Sequence, residues 1–144
     1  PGKRIISLET SLKMRRLMRL VVDKGTGQKA AAPGFLVGGK TGTAEKVSGR
    51  GYHRKALISS FVAAFPMNKP RYVVLAMLDE AKGTKETFGY ATGGWVAAPV
   101  VGAVVRRIAP VLGLRPVKAD EASREILAIE VPKKSDRERR VAAH

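Results

Sequence analysis

Apolar positions recur along this chain with two different periods. Met14, Leu17, Met18 and Val21 follow i, i+3, i+4, i+7 spacing, while Arg15, Arg16 and Arg19 take the opposite side. That spacing predicts an amphipathic helix of about four turns. Ser7 is placed to cap it, and Glu9 falls in the first turn, where the helix dipole favours negative charge. Gly25-Thr26-Gly27 ends the helix, and Lys29 to Gly34 is a small-residue loop. Phe35 to Ala44 then reads as a strand, in which Gly38 and Gly39 suggest a bulge or a close approach by another backbone or a ligand. Val47 to Lys55, with two glycines and several charges, reads as a hairpin loop. Leu57 to Phe65 is nearly all apolar or small and predicts a strand buried on both faces. Tyr72 to Leu78 is rich in β-branched and aliphatic residues and gives the clearest strand signal. Asp79 to Gly94 is a long loop, and Val96 to Val111 reads as a buried helix with Pro99 near its first turn, where proline is tolerated.

The order is helix, three strands, helix. Short connections make the strands an antiparallel meander with helices covering a face, an α+β arrangement. After Leu114 the character changes, and Lys133 to Arg140 is almost wholly charged. The expected division is therefore a folded unit over 1–116 and a charged, disordered tail over 117–144. Because the chain starts at Pro1, it reads as a part of something longer. No apolar run approaches the roughly 20 residues of a membrane helix. There is no cysteine, which removes disulfides and thiolate chemistry.

Net charge is +15, and it is uneven: residues 1–55 carry 13 basic against 3 acidic groups. An anionic partner is one reading of that excess. The basic residues are dispersed, however, and few aromatics interleave with them as single-strand binding would want. The excess reads as a solvated basic face, and no nucleic-acid partner is expected.

The densest chemistry lies in Gly39-Lys40-Thr41-Gly42-Thr43-Ala44. An edge strand offers unpaired N–H and C=O groups to an extended peptide. Acyl transfer needs N–H donors aimed at a developing oxyanion. A carboxylate-ended substrate needs hydroxyl donors and a cation nearby. Gly42 removes a side chain where such a peptide must lie close. Other candidates carry less. His53 titrates near neutrality but has no acidic partner in the sequence. Trp95 reads as core or helix-start packing. Asp79 and Glu80 lack an accompanying histidine or cysteine, so no metal is expected.

Lys-Thr-Gly is one of three active-site boxes of penicillin-binding proteins and class A β-lactamases. The wider succession runs Gly25-Thr26-Gly27, Pro33-Gly34-Phe35-Leu36-Val37-Gly38-Gly39-Lys40-Thr41-Gly42-Thr43-Ala44-Glu45-Lys46, Ser59-Ser60-Phe61-Val62-Ala63-Ala64-Phe65-Pro66, Pro70 to Leu75, and Gly93-Gly94-Trp95-Val96-Ala97-Ala98-Pro99-Val100. Over about residues 5–116 it resembles the C-terminal part of the transpeptidase domain of class B penicillin-binding proteins, of the division-specific type. The resemblance implies three strands of the five-stranded sheet of the penicillin-binding and serine β-lactamase-like fold. It implies a serine-acylating D,D-transpeptidase of septal peptidoglycan, with no cofactor. Its substrate would be a stem peptide ending in D-Ala-D-Ala, and β-lactams would acylate it. The parent would be anchored at the periplasmic face of the bacterial inner membrane, among divisome membrane proteins.

By the same resemblance Lys40 would serve the nucleophile, and the Thr43 backbone N–H would be half of the oxyanion hole. Thr41, Gly42 and Thr43 would hold the substrate, with Tyr90 and Thr92 at the rim. The Ser-x-x-Lys and Ser-x-Asn boxes are not in this sequence. The chain alone is therefore expected to be inactive and to need the N-terminal part of the same domain. A segment of a serine β-lactamase or β-lactam sensor, or a non-catalytic basic binding module, are the alternatives.

Overall fold

The structure is a computed structural model that describes residues 3–48 and 51–118, with backbone alone for 47, 48 and 51–55. The amphipathic stretch forms α1, Leu8–Asp23. The Ser7 hydroxyl accepts from the Thr10 N–H at 3.0 Å, satisfying one of the first-turn donors. A 3₁₀ turn, Gln28–Ala30, follows. Three strands come next: β1 (Gly38–Ser48), β2 (Gly51–Phe65) and β3 (Tyr72–Asp79). A single turn, α2 (Gly93–Val96), leads into α3 (Ala98–Val111). The sheet order is β1-β2-β3 and both pairings are antiparallel, so the α+β meander expected from the sequence is the fold.

Alternation sorts the side chains of this sheet. Phe61, Ala63 and Phe65 of β2 are buried and pack with Ala76 of β3 against Ala98, Val101, Val105 and Ala109 of α3, and Ser59 is buried on the same face. The opposite face is left open. Lys40, Val62 and Leu75 form one cross-strand row on it, and Val62, Val73, Leu75 and Met77 are 42%, 71%, 60% and 66% exposed. β2 is thus buried mainly on one face, against α3, and on the other α1 reaches only as far as Ala64, which packs with Met18 around Leu36 and Met67.

Other boundaries also move. β1 begins at Gly38, since Phe35 pairs only as an isolated bridge with Ala32, and the Val37 N–H bonds back to the Phe35 carbonyl. The stretch expected as a hairpin loop is strand on both arms, with Val47 opposite Tyr52 and Ser48 opposite Gly51. Register shifts between Glu45 and Lys46, so the bulge lies there and not at the glycines. Gly38 and Gly39 serve close approach instead. A Cβ on Gly38 would meet the Arg19 backbone nitrogen at 3.1 Å, and one on Gly39 the Val62 carbonyl oxygen at 2.3 Å.

The expected C-terminal helix is broken at Ala97 into α2 and α3, with Pro99 in the first turn of α3. Residues 93–111 are in fact long and apolar enough to cross a membrane by length and composition. Val101, Val105 and Ala109 are nevertheless fully buried against the sheet, and Arg106 and Arg107 interrupt the run, as in a core helix. The helical stripe of α1 is only partly used. Val22 is buried and Met18 and Val21 are half-buried, while Met14 and Leu17 are 47% and 56% exposed. Of the tail expected over 117–144, residues 119–144 lie outside the described residues. Val117 is tied to the fold by its N–H to the Gly34 carbonyl at 2.9 Å.

Candidate functional site

Among the described residues β1 is an edge strand, paired with β2 and with no strand on its other side. Period-two alternation therefore divides the Lys40–Thr43 box between two faces. Lys40 belongs to the open face. Its side chain is exposed, and its ammonium donates to the Thr41 carbonyl at 2.7 Å. No carboxylate among the described residues pairs with it. Beside it a groove of about 710 Å³ runs between β1 and α1, walled by Met14, Leu17, Leu20 and Val21.

Thr41 and Thr43 take the other face. They open into a second cavity of about 540 Å³, shared with Gly25, Thr26, Gln28, Lys29, Thr92, Gly94 and Trp95. The Thr41 hydroxyl lies 3.2 Å from that of Thr26, and the Thr43 hydroxyl accepts the Gly93 N–H at 3.1 Å. Gly42, between the threonines, faces the Lys40 side, and a Cβ there would meet the Ser60 hydroxyl at 2.6 Å. The edge of the strand is the place where both faces are reachable at once.

The loop after β3 closes the second cavity. Its anchor is buried: the Ser59 hydroxyl donates to the Ala91 carbonyl. Gly93 packs backbone to backbone on β1 and β2, where a Cβ would meet the Ser60 and Gly42 carbonyl oxygens at 2.2 and 2.7 Å. At the far end of the loop, Lys46 bridges Asp79 at 3.0 Å and Glu80 at 2.7 Å. Hydrogen bonds to these two carboxylates hold its ammonium above the usual lysine value of 10.5. Asp79 and Glu80 are thus the partners of a lysine.

The two rim candidates part company. Thr92 lines the threonine cavity. Tyr90 is 56% exposed and reaches it through Trp95, on which it stacks at 5.6 Å between ring centroids. Trp95 is a cavity wall as well as a helix-start residue, since it also carries Phe88 edge-on at 5.7 Å and the Lys29 ammonium at 4.5 Å. His53 lies opposite Lys46 in the strand register, and its side chain is outside the described residues. Thr26, Lys29, Ser59 and Gly93 are site residues that the sequence pattern left unmarked. Thr26, Ser59 and Gly93 had one available signal, their places in the succession of motifs, and Lys29 had none.

A family model of the penicillin binding protein transpeptidase domain matches residues 1–106. The chain belongs to this family. Among relatives of the penicillin-binding transpeptidases, the probable peptidoglycan D,D-transpeptidase FtsI of Caulobacter vibrioides is 49% identical over 123 residues, covering 79% of this chain and 21% of that protein. Stage V sporulation protein D of Bacillus subtilis is 43% identical over 116 residues, covering 81% and 17%. The chain therefore spans about a fifth of the length of the curated relatives it matches. The transpeptidase domain of penicillin-binding protein 3 from Burkholderia pseudomallei superposes with a TM-score of 0.68 at 41% identity, covering 80% of this chain and 34% of that one. Penicillin-binding protein 3 from Mycobacterium tuberculosis, solved with ampicillin, gives 0.68 at 28% identity, covering 81% and 27%. These relatives give no support to a β-lactamase or to a basic binding module.

Proposed function

We propose that this chain is the C-terminal segment of a serine D,D-transpeptidase that cross-links stem peptides during septal wall synthesis. The observation that carries the reading is the Lys40–Thr43 box on a strand that is an edge among the described residues, with a lysine no described carboxylate pairs on one face and the Thr41 and Thr43 hydroxyls on the other. An extended stem peptide lies along that edge as an added strand. Gly42 keeps the approach open. The hydroxyls of Thr41 and Thr43 take the terminal carboxylate of D-Ala-D-Ala, and the Thr43 N–H points at the carbonyl that becomes an oxyanion. Lys40 supplies positive potential at the nucleophilic serine, which comes from the N-terminal part of the same domain. The serine oxygen attacks the penultimate D-Ala carbonyl and the terminal D-Ala leaves as an amine with a proton. An amine on a neighbouring stem then attacks the ester and restores the serine. β-Lactams enter the first step and stall at the ester.

The open sheet face of Val62, Val73, Leu75 and Met77 is the surface on which the N-terminal part of the domain packs. Its apolar character supports that placement, as does the coverage of only 34% of a matched transpeptidase domain. The parent works at the periplasmic face of the inner membrane with other division proteins.

The test uses the full-length protein and the second-order rate of acylation by a fluorescent penicillin. Lys40→Ala removes an active-site cation, a loss of about 3 to 4 kcal/mol on the scale of one oxyanion-hole donor. At 1.36 kcal/mol per decade that is roughly a hundred- to a thousandfold in rate. Thr43→Val falls less, because its backbone donor survives. A Lys40→Ala protein that acylates within a factor of about three of wild type, at unchanged melting temperature, sinks the reading.

A further inference from the structure

The threonine cavity holds an unbalanced set of groups. Four threonines, Thr26, Thr41, Thr43 and Thr92, line it together with Gln28 and Lys29, and no carboxylate of the described residues does. A lining of donors and one cation, without an acid, is suited to an anion. Lys29 is also held where it stands. Its residue is the middle of the Gln28–Ala30 turn, closed by the Ala30 N–H to the Gly27 carbonyl at 2.8 Å. The Lys29 carbonyl is pressed against α3, where a Cβ on Gly102 would meet its oxygen at 2.9 Å. Its ammonium rests over the Trp95 ring at 4.5 Å, and Trp95 is itself stacked by Tyr90. A lysine is ordinarily a flexible point charge. A cation–π contact lowers the freedom it must lose to meet a ligand.

We propose that Lys29 is the counter-charge for the terminal carboxylate of the substrate, with Trp95 as the residue that positions it. The inference rests on the transpeptidase reading and adds to it: Lys40 serves the nucleophile on one face of β1, and Lys29 reads the substrate's negative end on the other. Thr41 and Thr43 supply directed hydrogen bonds, and Lys29 supplies the charge that distinguishes a carboxylate from a neutral isostere.

The test compares benzylpenicillin with its methyl ester, the same β-lactam ring without the negative charge, on the full-length protein. The readout is the ratio of the two acylation rates. Lys29→Ala and Lys29→Gln are expected to lower the acid-to-ester ratio by at least about tenfold, the loss of one charge-assisted contact. Lys29→Arg should keep the ratio within about threefold of wild type, since charge is retained. Trp95→Leu should lower it in the same direction by a smaller factor. A purely structural role for Lys29 would move both rates together, along with the melting temperature, and leave the ratio where it was. That result, or an unchanged ratio in well-folded Lys29→Gln, overturns the assignment while leaving the transpeptidase reading standing. A wild-type protein that reacts with neither probe overturns both.

Discussion

At Gly93 a single methyl group has nowhere to go. The neighbours a Cβ would meet are backbone carbonyls of two paired strands, at 2.2 and 2.7 Å, and neither can swing aside as a side-chain tip would. Gly93→Ala should therefore destabilise the full-length protein by about 3 kcal/mol or more, the upper range for overpacking. Gly89→Ala is the informative contrast. Its φ is +77° and no atom of the described residues lies within 4 Å of an added Cβ, so its cost is backbone strain alone, about 1 to 2 kcal/mol. Chemical denaturation of both variants checks the order, and equal losses would deny the Gly93 contact. Lys46 gives a pH signature. Its folded pKa lies above 10.5, so its contribution is present below that value and is lost as pH rises through the folded pKa. Wild type should be slightly more stable than Lys46→Met at neutrality, the pair being exposed, and that small advantage should vanish as pH rises through the folded pKa. Melts from neutrality upward through that pKa provide the measurement. Among these residues, Lys40 to Thr43 were legible because the box is contiguous. Lys29, Ser59 and Gly93 were not, because each acts on a partner 30 or more positions away: Lys29 on Trp95, Ser59 on Ala91, Gly93 on Ser60 and Gly42.

At the level of elements, the loop between β3 and α2 is the part on which the cavity depends. Phe88 sits at φ 52°, a left-handed conformation uncommon outside glycine, and is 77% exposed. The loop holds that shape through local bonds, the Thr84 N–H to the Thr87 hydroxyl at 2.8 Å and the Gly89 N–H to the Thr84 carbonyl at 2.9 Å, and through Ser59 beneath it. Ser59→Ala leaves the Ala91 carbonyl without that donor in a buried setting. The expected cost is about 1 to 3 kcal/mol. It should be accompanied by faster amide exchange over residues 88–92, because the loop then opens locally. Exchange confined to wild-type rates would mean the loop stands without Ser59. The strands themselves were unequally legible. Tyr72–Leu78 was legible from its β-branched and aliphatic content, although its sequence does not alternate and only its burial does. The polar arms of β1 and β2 beyond Ala44 pair through backbone groups, which need no apolar side chain, so hydrophobic pattern is silent there. The periodicity of α1 was legible, but which of its apolar residues are covered depends on what stands opposite.

For the molecule as a whole, the open sheet face and the α1 groove leave two apolar surfaces exposed on one small fold. Val73, Leu75 and Met77 stand 60–71% exposed on adjacent alternate positions of one strand, and Met14, Leu17 and Leu20 add a second patch. Patches of this kind drive association. Among the described residues β3 also has an unpaired outer edge, which invites strand pairing. The 144-residue chain on its own is expected to self-associate, and Leu75→Lys with Met77→Glu should shift it toward monomer in sedimentation velocity. A wild-type chain that sediments as a monomer at high concentration would contradict this. The division of β1 into a lysine side and a threonine side has a consequence for heredity. Under the proposed reading, the cation that serves the nucleophile and the hydroxyls that read the carboxylate stand on alternate letters of one four-residue word, yet their supporting residues come from different parts of the chain. Selection by an antibiotic can then act on Lys29, Tyr90, Thr92 and Trp95, around the threonines, while the lysine side stays unchanged. Lineages under drug pressure should drift on one side of this strand and stand still on the other.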